Sequence, residues 1–165
     1  MFQRIVVPLD GSCLAEWALP HAINLAKALD IKLVLIRVLR QENDSHHHYP
    51  ADPVAWDALQ AEAAAYLDSV ASRLGALGLQ LETATLEGEP VDQIISFARK
   101  DGQTLLVMTS HGFGGISHCM LGSVAHKSIL QAHVSFLLVR ALSDQCNPLQ
   151  ESHYNRMTVP LDGSS

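Results

Sequence analysis

The chain has 165 residues, and 11 basic against 17 acidic side chains give a net charge of −6 with His neutral. Apolar types make up 48% and charged types 17%, which excludes an intrinsically disordered chain and leaves material for one sizeable core. No apolar run reaches the roughly 18–20 residues of a membrane span, and the acidic excess argues against a nucleic-acid partner, which would require clustered Lys and Arg.

Ile5 to Leu9 is a short apolar run that reads as a strand, too short for the apolar core of a secretory signal. From Leu14 to Leu29, residues Leu14, Ala18, Ala22, Leu25, Ala26 and Leu29 share one helical side, with Ser12 as N-cap. Pro20 is tolerated only in a first turn, so it predicts a kink or a later helix start. Leu33 to Leu39 reads as a second strand, and Ala-rich Trp56 to Leu77 as a helix ended by Gly75 and Gly78. Gln80 to Leu86 alternates with period two, as in a half-exposed strand. Val91 to Lys100 fits a helix with Glu89 near its positive end. Thr104 to Met108, Ser123 to Ala132 and Val134 to Val139 complete the set as strand, helix and strand.

This alternation predicts an α/β fold: an open five-stranded parallel sheet with right-handed crossovers and helices on both faces, Rossmann-like in plan. Ligands in such sheets bind outside the carboxyl ends of the strands where strand order reverses. If the first and fourth strands are neighbours there, the loops that follow them carry the site. Val134 to Val139 is then an edge strand that needs a partner or a cover.

After the first strand, Asp10 lies in Leu9-Asp10-Gly11-Ser12. Its carboxylate suits a ligand hydroxyl such as a ribose, and equally a turn or helix cap. After the fourth strand, the segment from Thr109 to Ser123 holds four glycines and several hydroxyls. Glycines let backbone N–H groups approach phosphate oxygens, and the helix that follows presents its positive end. A connecting loop with no ligand is the alternative. His46-His47-His48 reads as a solvated loop, and Cys119 as packing. Cys13, Cys119 and Cys146 are three and widely spaced, so no disulfide framework is expected and a reducing compartment is the default. No metal site is expected.

A repeat sets the domain plan. Arg4 to Ser12 returns as Arg156 to Ser164, with seven of nine positions matching at an offset of 152 residues. This predicts one domain over 1–142, a polar linker over 143–155 and the start of a second copy over 156–165.

Val7-Pro8-Leu9-Asp10-Gly11-Ser12, Ala18-Leu19, Gly88-Glu89-Pro90 and the glycine loop together resemble a universal stress protein domain, over residues 2–142. ATP-binding members of that family carry Gly, two residues, Gly, nine residues, then Gly-Ser or Gly-Thr. Gly112, Gly122 and Ser123 match the later positions, whereas Thr109 replaces the first glycine and Phe113 stands where many relatives have a basic residue.

The resemblance implies an adenine nucleotide alpha hydrolase-like fold that binds ATP, with or without Mg2+. Asp10 would lie near the ribose and Val38 at the adenine. Gly112, Gly122, Ser123 and Val124 would cradle the phosphates, and Pro8, Met108, Thr109 and His111 would line the site. The family also implies a cytoplasmic stress-response protein that forms a homodimer, or an intramolecular pseudo-dimer with its second copy, through the last strand. No general base is placed, so no catalytic residue is assigned and slow ATP hydrolysis is the upper limit. The alternative is a nucleotide-free interaction and dimerisation module.

Overall fold

The computed structural model describes residues 1–40, 53–100, 102–112, 121–140, 154–156 and 158. Its elements in order are β1 (Arg4–Pro8), α1 (Cys13–Glu16), α2 (Leu19–Leu29), β2 (Lys32–Leu39), α3 (Pro53–Gly75), β3 (Leu81–Glu87), α4 (Pro90–Arg99), β4 (Thr104–Thr109), α5 (Ser123–Gln131) and β5 (Ser135–Val139). The five strands form one parallel sheet in the order β3-β2-β1-β4-β5. The expected architecture is the observed one, with β1 and β4 adjacent and β5 at an edge.

Alternation along the strands sorts the core into two layers. Ile5, Val7, Leu9, Leu33, Leu35, Leu105 and Val107 join buried residues of α1, α2 and α3 on one face. Val6, Val34, Ile36 and Leu106 join Ile94 of α4 and the partly buried Val124 of α5 on the other. The central strands are therefore apolar at successive positions because both faces are covered. Edge strand β3 buries none of its residues completely; it alternates between exposed and half-buried positions from Thr83 to Glu87, as its period-two pattern predicts, while Glu82 and Thr83 are both exposed.

The stretch from Leu14 to Leu29 is two helices rather than one. Ser12 caps α1 by accepting a bond from the Ala15 N–H, at 3.2 Å. The chain breaks at Trp17 and Ala18, and Pro20 falls in the first turn of α2, where its missing N–H costs no helical bond. The later-start expectation is the one realised. Helix α3 begins at Pro53 and ends at Gly75, a little earlier at both ends than its periodicity implied. It buries Ala63, Leu67, Val70 and Leu74 at four-three-four spacing, one stripe against the sheet.

Cys13 is disulfide-bonded, contrary to the reduced state expected for the cysteines. Tyr154 returns to α2, its hydroxyl 2.5 Å from His21 Nδ1, and burial holds His21 below the usual imidazole range. The readings made on His46, His47, His48, Phe113, Cys119, Cys146, residues 143–153 and most of 156–165 lie outside the described residues. Among the described residues, no helix is long and apolar enough to cross a membrane.

Leu106 is fully buried in β4, paired with Val6 on one side and Phe136 on the other. Leu106→Ala is expected to cost about 2–5 kcal/mol of stability. Urea unfolding should show a lower midpoint with an unchanged slope. An unchanged midpoint would contradict this account of the core.

Candidate functional site

The chain leaves β1 toward α1 on one face and β4 toward α5 on the other. Between the two exits lies a cavity of about 450 Å³, within the size range of small-ligand sites. All ten residues singled out from the sequence line it. Pro8 and Asp10 come from the end of β1 and its loop, Val38 from β2, and Met108, Thr109, His111 and Gly112 from β4 and its loop. Gly122, Ser123 and Val124 come from the start of α5.

The cavity has two chemically distinct ends. One is apolar, walled by Val38, Met108 and Val124 together with Pro90 and Ile94 of α4. The other is formed by the Asp10 loop, the Gly112 turn and the N-terminus of α5. Gly122 caps α5 with no side-chain bond. The first N–H groups of any helix lack intrahelical acceptors, so Ser123, Val124 and Ala125 offer donors at the positive end of the helix. Among the described lining residues there is no Lys or Arg, and backbone N–H groups and hydroxyls are the donors at the α5 end.

Asp10 joins the two loops. Its Oδ1 accepts from the Ser12 N–H at 2.9 Å and from the Ser12 hydroxyl at 2.5 Å. Its Oδ2 lies so close to Gly112 that a Cβ at that position would overlap it. A side chain at 112 would therefore have to displace the Asp10 carboxylate. The β4 loop is held by its own bonds: the Ser110 N–H donates to Val139 O at 2.7 Å, and the Gly122 N–H to Ser110 O at 2.8 Å. Thr109, buried at the end of β4, donates its hydroxyl to His111 O at 2.6 Å. The Cβ that glycine would lack is accommodated because the hydroxyl turns back onto the loop. Ser110 Oγ lies 2.9 Å from His111 Nδ1.

Behind the cavity, between α1 and α3, stands a polar cluster that sequence reading missed. Glu16 is buried, accepts from the Tyr66 hydroxyl at 3.0 Å and pairs with Arg73 at 2.7 Å. Burial, then the Glu16 carboxylate, pushes the Tyr66 phenol far above its usual range. Arg37 of β2 stacks over the Tyr66 ring at 5.2 Å and meets Glu62 at 3.8 Å. Also missed were the lining residues Ser110, Pro90 and Ile94. The alternation of β2 offered the only signal for Arg37, since it falls on the same face as Leu33 and Leu35.

Comparison with known proteins gives a consistent result. A model of the universal stress protein family matches residues 1–140. A universal stress protein of Methanocaldococcus jannaschii is 33% identical over 144 residues, covering 85% of this chain and 83% of that protein. The solved structure of UspA from Lactobacillus plantarum is similar at a TM-score of 0.71 and 28% identity, over 84% of this chain and 98% of that one. A universal stress protein solved in complex with cAMP is similar at a TM-score of 0.64 and 25% identity, over 84% of this chain and 97% of that one.

The raised Tyr66 pKa has a measurable sign. Above the ordinary phenol value of 10.0 the unfolded chain loses the phenolic proton while the folded chain keeps it, so stability falls as pH rises. Tyr66→Phe should flatten that alkaline limb in denaturant unfolding between pH 9 and 11, as about one fewer proton is released. An unchanged limb would show that the phenol is not held as described.

Proposed function

The chain belongs to the universal stress protein family, and on that premise we propose that it is a stress-response regulatory domain whose cavity binds an adenine nucleotide, with ATP as the form to test. The observation that carries this reading is the pairing of an apolar slot with the uncapped N-terminus of α5 inside one cavity. A planar base fits between Val38, Met108 and Ile94. Phosphate oxygens fit the donors at Ser123, Val124 and Ala125, beside Gly122, where the helix dipole favours negative charge. Asp10, between the two ends, accepts from a ribose hydroxyl. Pro8, Thr109, His111 and Gly112 complete the wall. The similar protein solved with cAMP holds an adenine nucleotide, which supports the same ligand class.

Magnesium would arrive on the phosphates rather than in a protein cage, because Mg2+ keeps much of its water and takes few protein carboxylates. Asp10 is the one acidic residue among the described lining residues. Among the described residues, no group of three or more His, Cys, Asp or Glu is placed to hold a metal ion. The domain plan belongs to the same reading: residues 1–142 as the binding domain, 143–155 as a linker and 156–165 as the opening of a second copy. The β5 edge is the surface we propose for pairing with a second copy, in a cytoplasmic protein.

Calorimetric titration of the purified chain with ATP and magnesium should show saturable binding. Gly122→Val should weaken it at least tenfold while circular dichroism stays unchanged, because a Cβ at 122 already sits 3.2 Å from Ser110 O and a branched side chain must push the loop aside. Absence of saturation at millimolar ATP would overturn the nucleotide reading and leave a nucleotide-free interaction module.

A further inference from the structure

We propose that Arg37 is a positioning residue for Asp10 and thereby sets how strongly the cavity discriminates for a ribose over a deoxygenated sugar. This rests on the adenine-nucleotide reading above. Arg37 does not line the cavity. It follows Ile36 by one residue and Val34 by three on β2, and therefore points to the opposite sheet face, toward α1 and α3. Its guanidinium lies against the loop after β1. The Cζ, Nη1 and Nη2 atoms are each 3.5 Å from the point where a Cβ on Gly11 would stand.

Gly11 is the centre of the turn that aims Asp10. Asp10 Oδ1 is tied to Ser12 across it, and Gly11 itself adopts φ +88°, a conformation that L side chains avoid. A turn of this kind keeps its shape only while its surroundings hold it. The surroundings here are a flat cation, supported in turn by a second set of contacts. The Tyr66 ring lies 5.2 Å from Arg37 Cζ, and Glu62 faces the guanidinium at 3.8 Å. Tyr66 is fixed by Glu16, and Glu16 by Arg73. The Arg37 side chain is only 14% exposed. The support of Asp10 thus runs from α3 through Arg37 to the turn. Arginine suits the role because its planar group can lie against backbone and ring at once, which an ammonium cannot.

The consequence is specific to the hydroxyl-bearing part of the ligand. If Asp10 is displaced by loss of its support, the bond to the ribose hydroxyls weakens, while the base slot and the α5 N-terminus remain as they were. The test compares ATP with 2′,3′-dideoxy-ATP, both with magnesium, on the unmodified chain, Arg37→Leu and Arg37→Lys. The unmodified chain should bind ATP more tightly than the dideoxy compound. Arg37→Leu should weaken ATP about tenfold, the value of one charge-assisted hydrogen bond, and leave the dideoxy affinity unchanged. Arg37→Lys, which keeps the charge and disturbs folding least, should lose part of the same discrimination. Equal weakening of both ligands in either variant would mark Arg37 as a general structural support and overturn the proposal, as would full retention of discrimination. An unmodified chain that binds both ligands alike overturns only this inference. One that binds neither overturns the nucleotide reading, and this inference with it.

Discussion

The reversal of strand order between β1 and β4 organises this molecule. Consecutive parallel strands are joined through a helix by right-handed connections, because a right-twisted strand feeding a right-handed helix packs back onto the sheet that way. The chain builds outward from β1 in one direction and then restarts at β4 in the other, giving the order β3-β2-β1-β4-β5. The segments leaving β1 and β4 must then part to opposite faces. Among the described residues no helix fills the gap between them, and a cavity opens at that point. The side chains decide only what it accepts.

Those side chains divide the work by element. The sheet and α4 supply apolar wall, the start of α5 supplies unsatisfied donors, and Asp10 bridges the two loops. Each contribution depends on a neighbour that holds it in place. Val139 fixes the Ser110 backbone, Ser110 O fixes the Gly122 N–H, and the Arg37, Tyr66 and Glu16 cluster lies beneath the Asp10 turn. The site is therefore shallow in the chemistry it displays and deep in what holds that chemistry in place.

Much of this was legible in the sequence because the relevant signals are local. Apolar runs at strand length, helical spacing and glycines beside a strand end each report on a few consecutive residues. That was enough for the fold and for the ten lining residues, whose assignment came from the family resemblance to the glycine pattern rather than from periodicity. Ile94 and Pro90 escaped because nothing local says which face of α4 meets the cavity. Glu16, Tyr66 and Arg73 escaped for a stronger reason. They are separated by 50 to 57 positions, and a buried carboxylate looks in sequence like any surface acid. The break at Trp17 was only half legible: Pro20 shows where a helix can begin, not where the preceding one stops.

The absence of Lys and Arg among the described lining residues has a consequence for control. Recognition through peptide N–H groups cannot be switched off by acetylating a lysine, and it does not titrate. Nor do such dipoles reach far into solvent, since they act mainly within the first turn of a helix. Spacing therefore matters most at Gly112 and at the start of α5, where an added Cβ would meet Asp10 Oδ2 and Ser110 O.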